Sequence, residues 1–139
     1  MKYMILMYGS QQDYAALTGS PSPGRPAWSA QEAAAMGAFM ESFGKDLAEA
    51  GELVDARGLT APAHARRIQL RGGVPVVTDG PYPETEEVLA GYWIVECDSF
   101  DRATELAGRL ASCPGPEYLR EMARVDLRPV AESRDELEL

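Results

Sequence analysis

The chain has 139 residues, 45% of them hydrophobic, with a formal net charge of −9 and a pI near 4.6. That length and apolar share specify a single domain with its own core, and an acidic chain without a basic stripe excludes nucleic acid as a direct partner. No run approaches the roughly 20 apolar residues of a membrane helix, the N-terminal apolar run 4–8 is too short for a secretory signal, and cytoplasmic location is the expectation.

Residues 2–8 read as a first strand. Its two faces, Tyr3, Ile5, Met7 and Met4, Leu6, Tyr8, are both apolar, so the strand should be covered on both sides. Residues 9–28 are rich in Gly, Ser, Pro and polar residues and read as a long loop. Ser29-Ala30-Gln31-Glu32 matches a capping box and opens a helix. Met36, Phe39, Met40, Phe43, Leu47 and Ala50 fall on one stripe of it at helical spacing, and Gly51 stops it. A strand follows at 52–58. Residues 67–71 and 74–78 form a hairpin through Gly72-Gly73. Residues 91–97 are the next strand. Asp98 or Ser99 caps a second helix with the stripe Phe100, Ala103, Ala107 and Leu110, stopped by residues 112–116. The last strand spans 122–130, with Ala123, Val125 and Leu127 alternating with Arg124, Asp126 and Arg128. Residues 1–130 make the domain, and residues 131–139 read as a solvated acidic tail.

The two cysteines, Cys97 and Cys113, are too few for a disulfide framework. No Cys or His stands at ligand spacing for zinc, so neither a metal nor a cofactor is expected. Cys97 continues an apolar strand and reads as a small buried hydrophobe.

The stretch Thr78-Asp79-Gly80-Pro81-Tyr82-Pro83-Glu84-Thr85-Glu86-Glu87 carries the most information. It links two apolar runs through about a dozen residues, near the upper limit for an ordinary loop. Gly80 supplies backbone freedom, and Pro81 and Pro83 stiffen the chain around Tyr82. Asp79 is the leading candidate for chemistry, as a general base or substrate anchor; the competing reading makes it a turn residue whose carboxylate accepts backbone amides. Glu84, Glu86 and Glu87 could supply a second carboxylate, with Glu84 the leading candidate; the competing reading is a solvated face, in which Glu84 and Glu86 suit the start of a helical turn at Pro83. Tyr8, Tyr82, Tyr92 and Trp93 could line an aromatic pocket for a small organic ligand, or simply pack the core and an interface. Arg66, Arg67 and Arg71 read as surface charges.

The segment Asp79-Gly80-Pro81-Tyr82 with Glu84-Thr85-Glu86-Glu87 and Gly91-Tyr92 resembles the DGPF branch of the YCII-related proteins. The opening Met1-Lys2-Tyr3-Met4-Ile5-Leu6-Met7-Tyr8, the run Asp98-Ser99-Phe100-Asp101-Arg102-Ala103 and the closing Leu127-Arg128-Pro129-Val130 fit the same pattern, which covers nearly the whole chain. Tyr82 stands where Phe is usual, and Glu86 where Lys is usual. The resemblance implies a dimeric α+β barrel and an association with extracytoplasmic-function sigma factors by fusion or gene neighbourhood. In the wider group it implies a catalytic His–Asp pair with the His on the first helix. The helix beginning at Ser29 has no His, and the chain's one histidine, His64, lies in a Pro/Ala segment between strands.

The element order, strand, helix, strands, helix, strand, specifies an α+β ferredoxin-like unit, β-α-β-β-α-β, with an added hairpin and an antiparallel sheet. Two helices cover one sheet face, so the other calls for a copy of the same sheet, and a homodimer is expected. The functional expectation is a small organic molecule bound under the loop 79–87. The alternative is a cofactor-free isomerase, lyase or dehydrohalogenase with Asp79 as base.

Overall fold

A computed structural model describes residues 1–138. In chain order the elements are β1 (Lys2–Gly9), α1 (Gln11–Leu17), α2 (Ala30–Glu49), β2 (Leu53–Gly58), β3 (Arg66–Arg71), β4 (Val74–Asp79), β5 (Val88–Glu96), α3 (Phe100–Ala111), α4 (Glu117–Met122) and β6 (Val125–Pro129). Four strands form an antiparallel sheet in the order β2-β5-β1-β6. With α2 and α3 as the crossovers this is the ferredoxin-like α+β fold that the element order specifies. The added hairpin, β3 with β4, is a separate two-stranded sheet.

The core lies between the sheet and the two long helices. Tyr3 and Ile5 of β1 and Trp93 and Val95 of β5 meet Phe43 and Leu47 of α2 and Leu106 and Leu110 of α3. Period-two alternation on the strands and 3.6-residue periodicity on the helices put these residues on facing surfaces. The ring of Phe43 stands edge-on to Trp93 at 5.0 Å, a favourable aromatic geometry. Phe100 turns out exposed, and Leu106, six residues further on the same helix, is fully buried in the core.

Local signals fix the boundaries. Ser29 Oγ accepts from the Glu32 amide and Glu32 Oε1 accepts from the Ser29 amide, so the capping box is formed. The helix ends at Glu49, with Ala50 as its C-cap and Gly51 next. Ser99 caps α3 by accepting from the Arg102 amide at 3.0 Å. Gly72 and Gly73, at φ 56° and 80°, make the two-residue turn that matches the twist of a hairpin. At Gly91 a Cβ would lie 2.8 Å from the Arg57 carbonyl oxygen, so β2 and β5 approach this closely only because no side chain intervenes.

Three expectations need correction. Residues 9–28 are not all loop: Ser10 caps α1, accepting from the Asp13 amide at 3.2 Å while Asp13 Oδ2 accepts from the Ser10 amide at 2.8 Å. The final strand is shorter than 122–130. Pro116 opens the short helix α4 instead, and the strand alternation holds only from Val125, with Val125 and Leu127 packed on the core. The strand expected at 91–97 starts three residues earlier, at Val88, and ends at Glu96.

The helices cover one face of the four-stranded sheet. The other face carries Met4, Leu6, Tyr92 and Ile94, which the register places side by side: Met4 opposite Ile94 and Leu6 opposite Tyr92. All four are half-buried in the single chain. Beyond residue 130, Glu132 pairs with Lys2 at 2.9 Å and a 3-10 turn spans Arg134–Glu138. Among the described residues no helix is long and apolar enough to cross a membrane.

Candidate functional site

The loop after β4 is tied to its neighbours by backbone hydrogen bonds. Gly80 has φ +56°, and its amide donates to the Ala65 carbonyl at 2.8 Å. The Glu86 amide donates to the Pro83 carbonyl at 3.1 Å, closing a single turn. The second amide of α1, Gln12, donates to the Glu84 carbonyl at 3.2 Å, and Gln11 Oε1 accepts from the Ala63 amide at 2.8 Å. The unexpected helix α1 therefore anchors both connectors that flank the hairpin, one through an amide that a helix start leaves free and the other through the Gln11 side-chain oxygen.

The structure does not bring the sequence candidates together. Asp79 closes β4 on the outside of the hairpin, 76% exposed, with Oδ1 accepting from Arg66 Nε at 2.7 Å. His64 is exposed in a 3-10 turn, Pro62–His64. Glu84 is exposed, and what it contributes to the loop is its backbone carbonyl. Tyr82 lies under Arg67, 5.1 Å from guanidinium carbon to ring centroid. Trp93 is core. Tyr92 is on the sheet face opposite the helices, its hydroxyl 3.3 Å from Asp55 Oδ2. Of the aromatic candidates, only Tyr8 borders the cavity described next.

That cavity, about 220 Å³, opens at the end of the core between α2, the α3–α4 connector and the ends of β1 and β6. Its body is soft and apolar: Met7, Met36, Met40, Met122, Leu110 and Leu119. Unbranched Met side chains adapt to irregular shapes, which suits a binding wall. The register of β1 against β5 shifts between Met7 and Tyr8, and both side chains reach the cavity. Strand irregularities of this kind re-aim side chains beside sites.

Charge is concentrated at one end. Arg124 pairs with Glu87 and lies 4.6 Å over the ring of Tyr8, a cation–π arrangement. Asp126 beside the Tyr8 hydroxyl, together with burial, raises the pKa of that phenol. Asp13, reached from α1, is paired with Arg25 at 2.8 Å. Burial alone would raise the Asp13 pKa. The Ser10 amide, Arg25 and the Ser10 hydroxyl outweigh it and hold the carboxyl below its ordinary value, so Asp13 is an anion.

Trp28 and Cys113 complete the wall. Trp28 packs over Gly115, where an added Cβ would lie 3.3 Å from the indole. Its Nε1 is buried beside the buried hydroxyl of Tyr118, whose pKa burial raises while the neighbouring Trp28 acts to lower it. Burial raises the pKa of the Cys113 thiol, so the neutral thiol faces the cavity. Sequence reasoning missed Trp28 and Arg124, and named Glu87 only as one of three possible second carboxylates. They come from three distant segments with no shared motif.

The site is thus an apolar cavity with a charged rim on an α+β ferredoxin-like domain. The chain belongs to the YCII-related domain family, whose model matches residues 1–114. It is similar to an uncharacterised protein of Rhizobium meliloti (strain 1021), 29% identical over 99 residues, which are 71% of this chain and 80% of the relative. The matched span ends at the α3–α4 connector and leaves out α4 and β6, which supply Met122 and Arg124 to the cavity.

Proposed function

We propose that the protein binds a small single-ring organic molecule in the cavity between α2, α4 and the end of β1. The observation that carries this is the Met-lined volume of about 220 Å³ with charged side chains at one end. A cavity of roughly 150 Å³ lined by apolar side chains is enough to take up benzene, so this one suits a substituted ring. The loop 79–87 contributes to this site through Glu87 at its end rather than through Asp79.

A binding role is favoured over catalysis. Asp79 and Glu84, the carboxylates suited by sequence to act as bases, lie outside the cavity. The two carboxylates at its rim, Asp13 and Glu87, are each engaged by an arginine. An occupied cavity read out by a partner protein, a sigma factor being the partner that the family resemblance implies, fits this arrangement better than turnover does.

The functional unit in this reading is a homodimer joined through the open sheet face. Met4, Leu6, Tyr92 and Ile94 form an apolar strip there, and no helix of the same chain covers it. An apolar sheet face in a domain with two layers is covered by a third.

Trp28 provides the test. Titration with single-ring ketones, esters and carboxylates should change its fluorescence saturably, and Trp28→Phe, which removes part of the cavity wall, should weaken binding at least about tenfold through lost apolar contact, with the melting temperature maintained. Binding that Trp28→Phe leaves unchanged, or no saturable signal across the series, would count against this site.

A further inference from the structure

Asp13, Glu87, Arg120 and Arg124 are the acidic and basic side chains that line the cavity. Three of them are matched. Asp13 holds Arg25 at 2.8 Å, and Glu87 holds Arg124. Arg120 of α4 is different: no carboxylate lies within ion-pair distance of it among the described residues. The acids beside it on the helix do not serve it. Glu117 lines a neighbouring groove together with Glu32. Glu121 is set about 100° round the helix axis from Arg120 and is not part of the cavity wall.

The rim therefore has a sign. With Arg25 counted, it carries three arginines against two carboxylates, an excess of one positive charge in a chain of net −9. The next charges out, Asp126 and Arg128 beside Tyr8, cancel each other. The free charge also sits next to the apolar wall. Leu119 and Met122, on either side of Arg120 in α4, line the same cavity, while Arg120 itself is exposed at its mouth. A guanidinium presents a planar fork of donors that matches the two oxygens of a carboxylate. Apolar neighbours lower the local dielectric and strengthen such a pair.

We infer that the ligand of this cavity is a ring carboxylic acid bound as its anion, with the ring among the methionines and the carboxylate on Arg120. This rests on the cavity reading above and adds the chemical class of its ligand. Arg120 is the specificity residue. Arg124 is already taken up by Glu87 and by the ring of Tyr8.

The test compares benzoate with methyl benzoate, which share the ring and differ by one charge. Calorimetry at neutral pH gives the affinity of each for the wild type, Arg120→Gln and Arg120→Lys. Arg120 is exposed and outside the core, so both variants should keep the wild-type melting temperature. The wild type should bind benzoate at least about fivefold more tightly than the ester, the worth of one rim ion pair of good geometry. That preference should shrink as salt rises. Arg120→Gln should bind benzoate no better than the ester. Arg120→Lys keeps the charge but loses the fork, and should retain part of the preference. Equal binding of acid and ester by the wild type, or a preference that persists in Arg120→Gln, would overturn the carboxylate assignment and leave the cavity reading standing. Failure of both probes to bind would overturn the cavity reading and this assignment with it.

Discussion

Arg25 Nε donates to Asp13 Oδ1 at 2.8 Å in the most enclosed ion pair of the described residues, with the two side chains 18% and 15% exposed. The pair ties the segment between α1 and α2 to the helix start that carries both hairpin connectors. Asp13 serves there twice, closing the capping box on Ser10 and holding Arg25. Asp13→Asn keeps the shape but loses the charge, and should cost about 1–3 kcal/mol in chemical denaturation. A cost near zero would show that the pair does not hold the segment.

The same pair sets an acid limit. The Asp13 carboxyl is held below its ordinary value of 3.8, and Glu52 is lowered likewise by Arg102. A lowered folded pKa contributes stability that is fully present above the unfolded value and is lost as pH falls through the folded one. Stability should therefore be level from neutral pH down to the ordinary carboxylate range and decline below it. Asp13→Asn should flatten that decline. Melting temperatures across an acid pH series check both.

Phe43 is 1% exposed between Phe39, Trp93 and the guanidinium of Arg109. Phe43→Ala should cost about 3–5 kcal/mol. A loss under about 1 kcal/mol, typical of surface substitutions, would remove it from the core.

Helix starts, the hairpin turn and the alternation of β6 were legible because each rests on residues within a few positions of one another. The helix α1 was not, because its capping box closes with Asp13 rather than Glu and its seven residues are too few to establish a period. The fold followed from element order alone. The site did not. Its walls come from α2, α4, the α3–α4 connector and the ends of β1 and β6, and no local pattern links Trp28 to Arg124. Asp79 stood out because Asp-Gly-Pro is a strong turn signal; in the structure it ends β4, and its carboxylate accepts from Arg66 rather than from backbone amides.

The two candidate anchors can be separated by one pair of variants. Asp79→Asn should leave ligand affinity unchanged and shift stability by under about 1 kcal/mol, since its partner Arg66 is 70% exposed and such pairs are weak. Glu87→Gln frees Arg124 and should change affinity at the rim of the cavity. The reverse pattern, measured by calorimetry, would return the site to the hairpin loop.

The sheet-face dimer predicts a mass of about twice 15.1 kDa by light scattering at micromolar concentration. Leu6→Asp, at the middle of the apolar strip opposite Tyr92, should yield a folded monomer. A variant that remains dimeric would place the interface elsewhere.

The central claim is that a small ring binds among the methionines. Four of the six methionines in the chain, Met7, Met36, Met40 and Met122, line the cavity, while Met1 and Met4 do not. Methyl NMR of Met-labelled protein, titrated with a single-ring ketone or carboxylate, should move the four cavity methyls together and leave Met1 and Met4 in place. Cavity methyls that stay silent while amides of residues 79–82 shift would contradict the account.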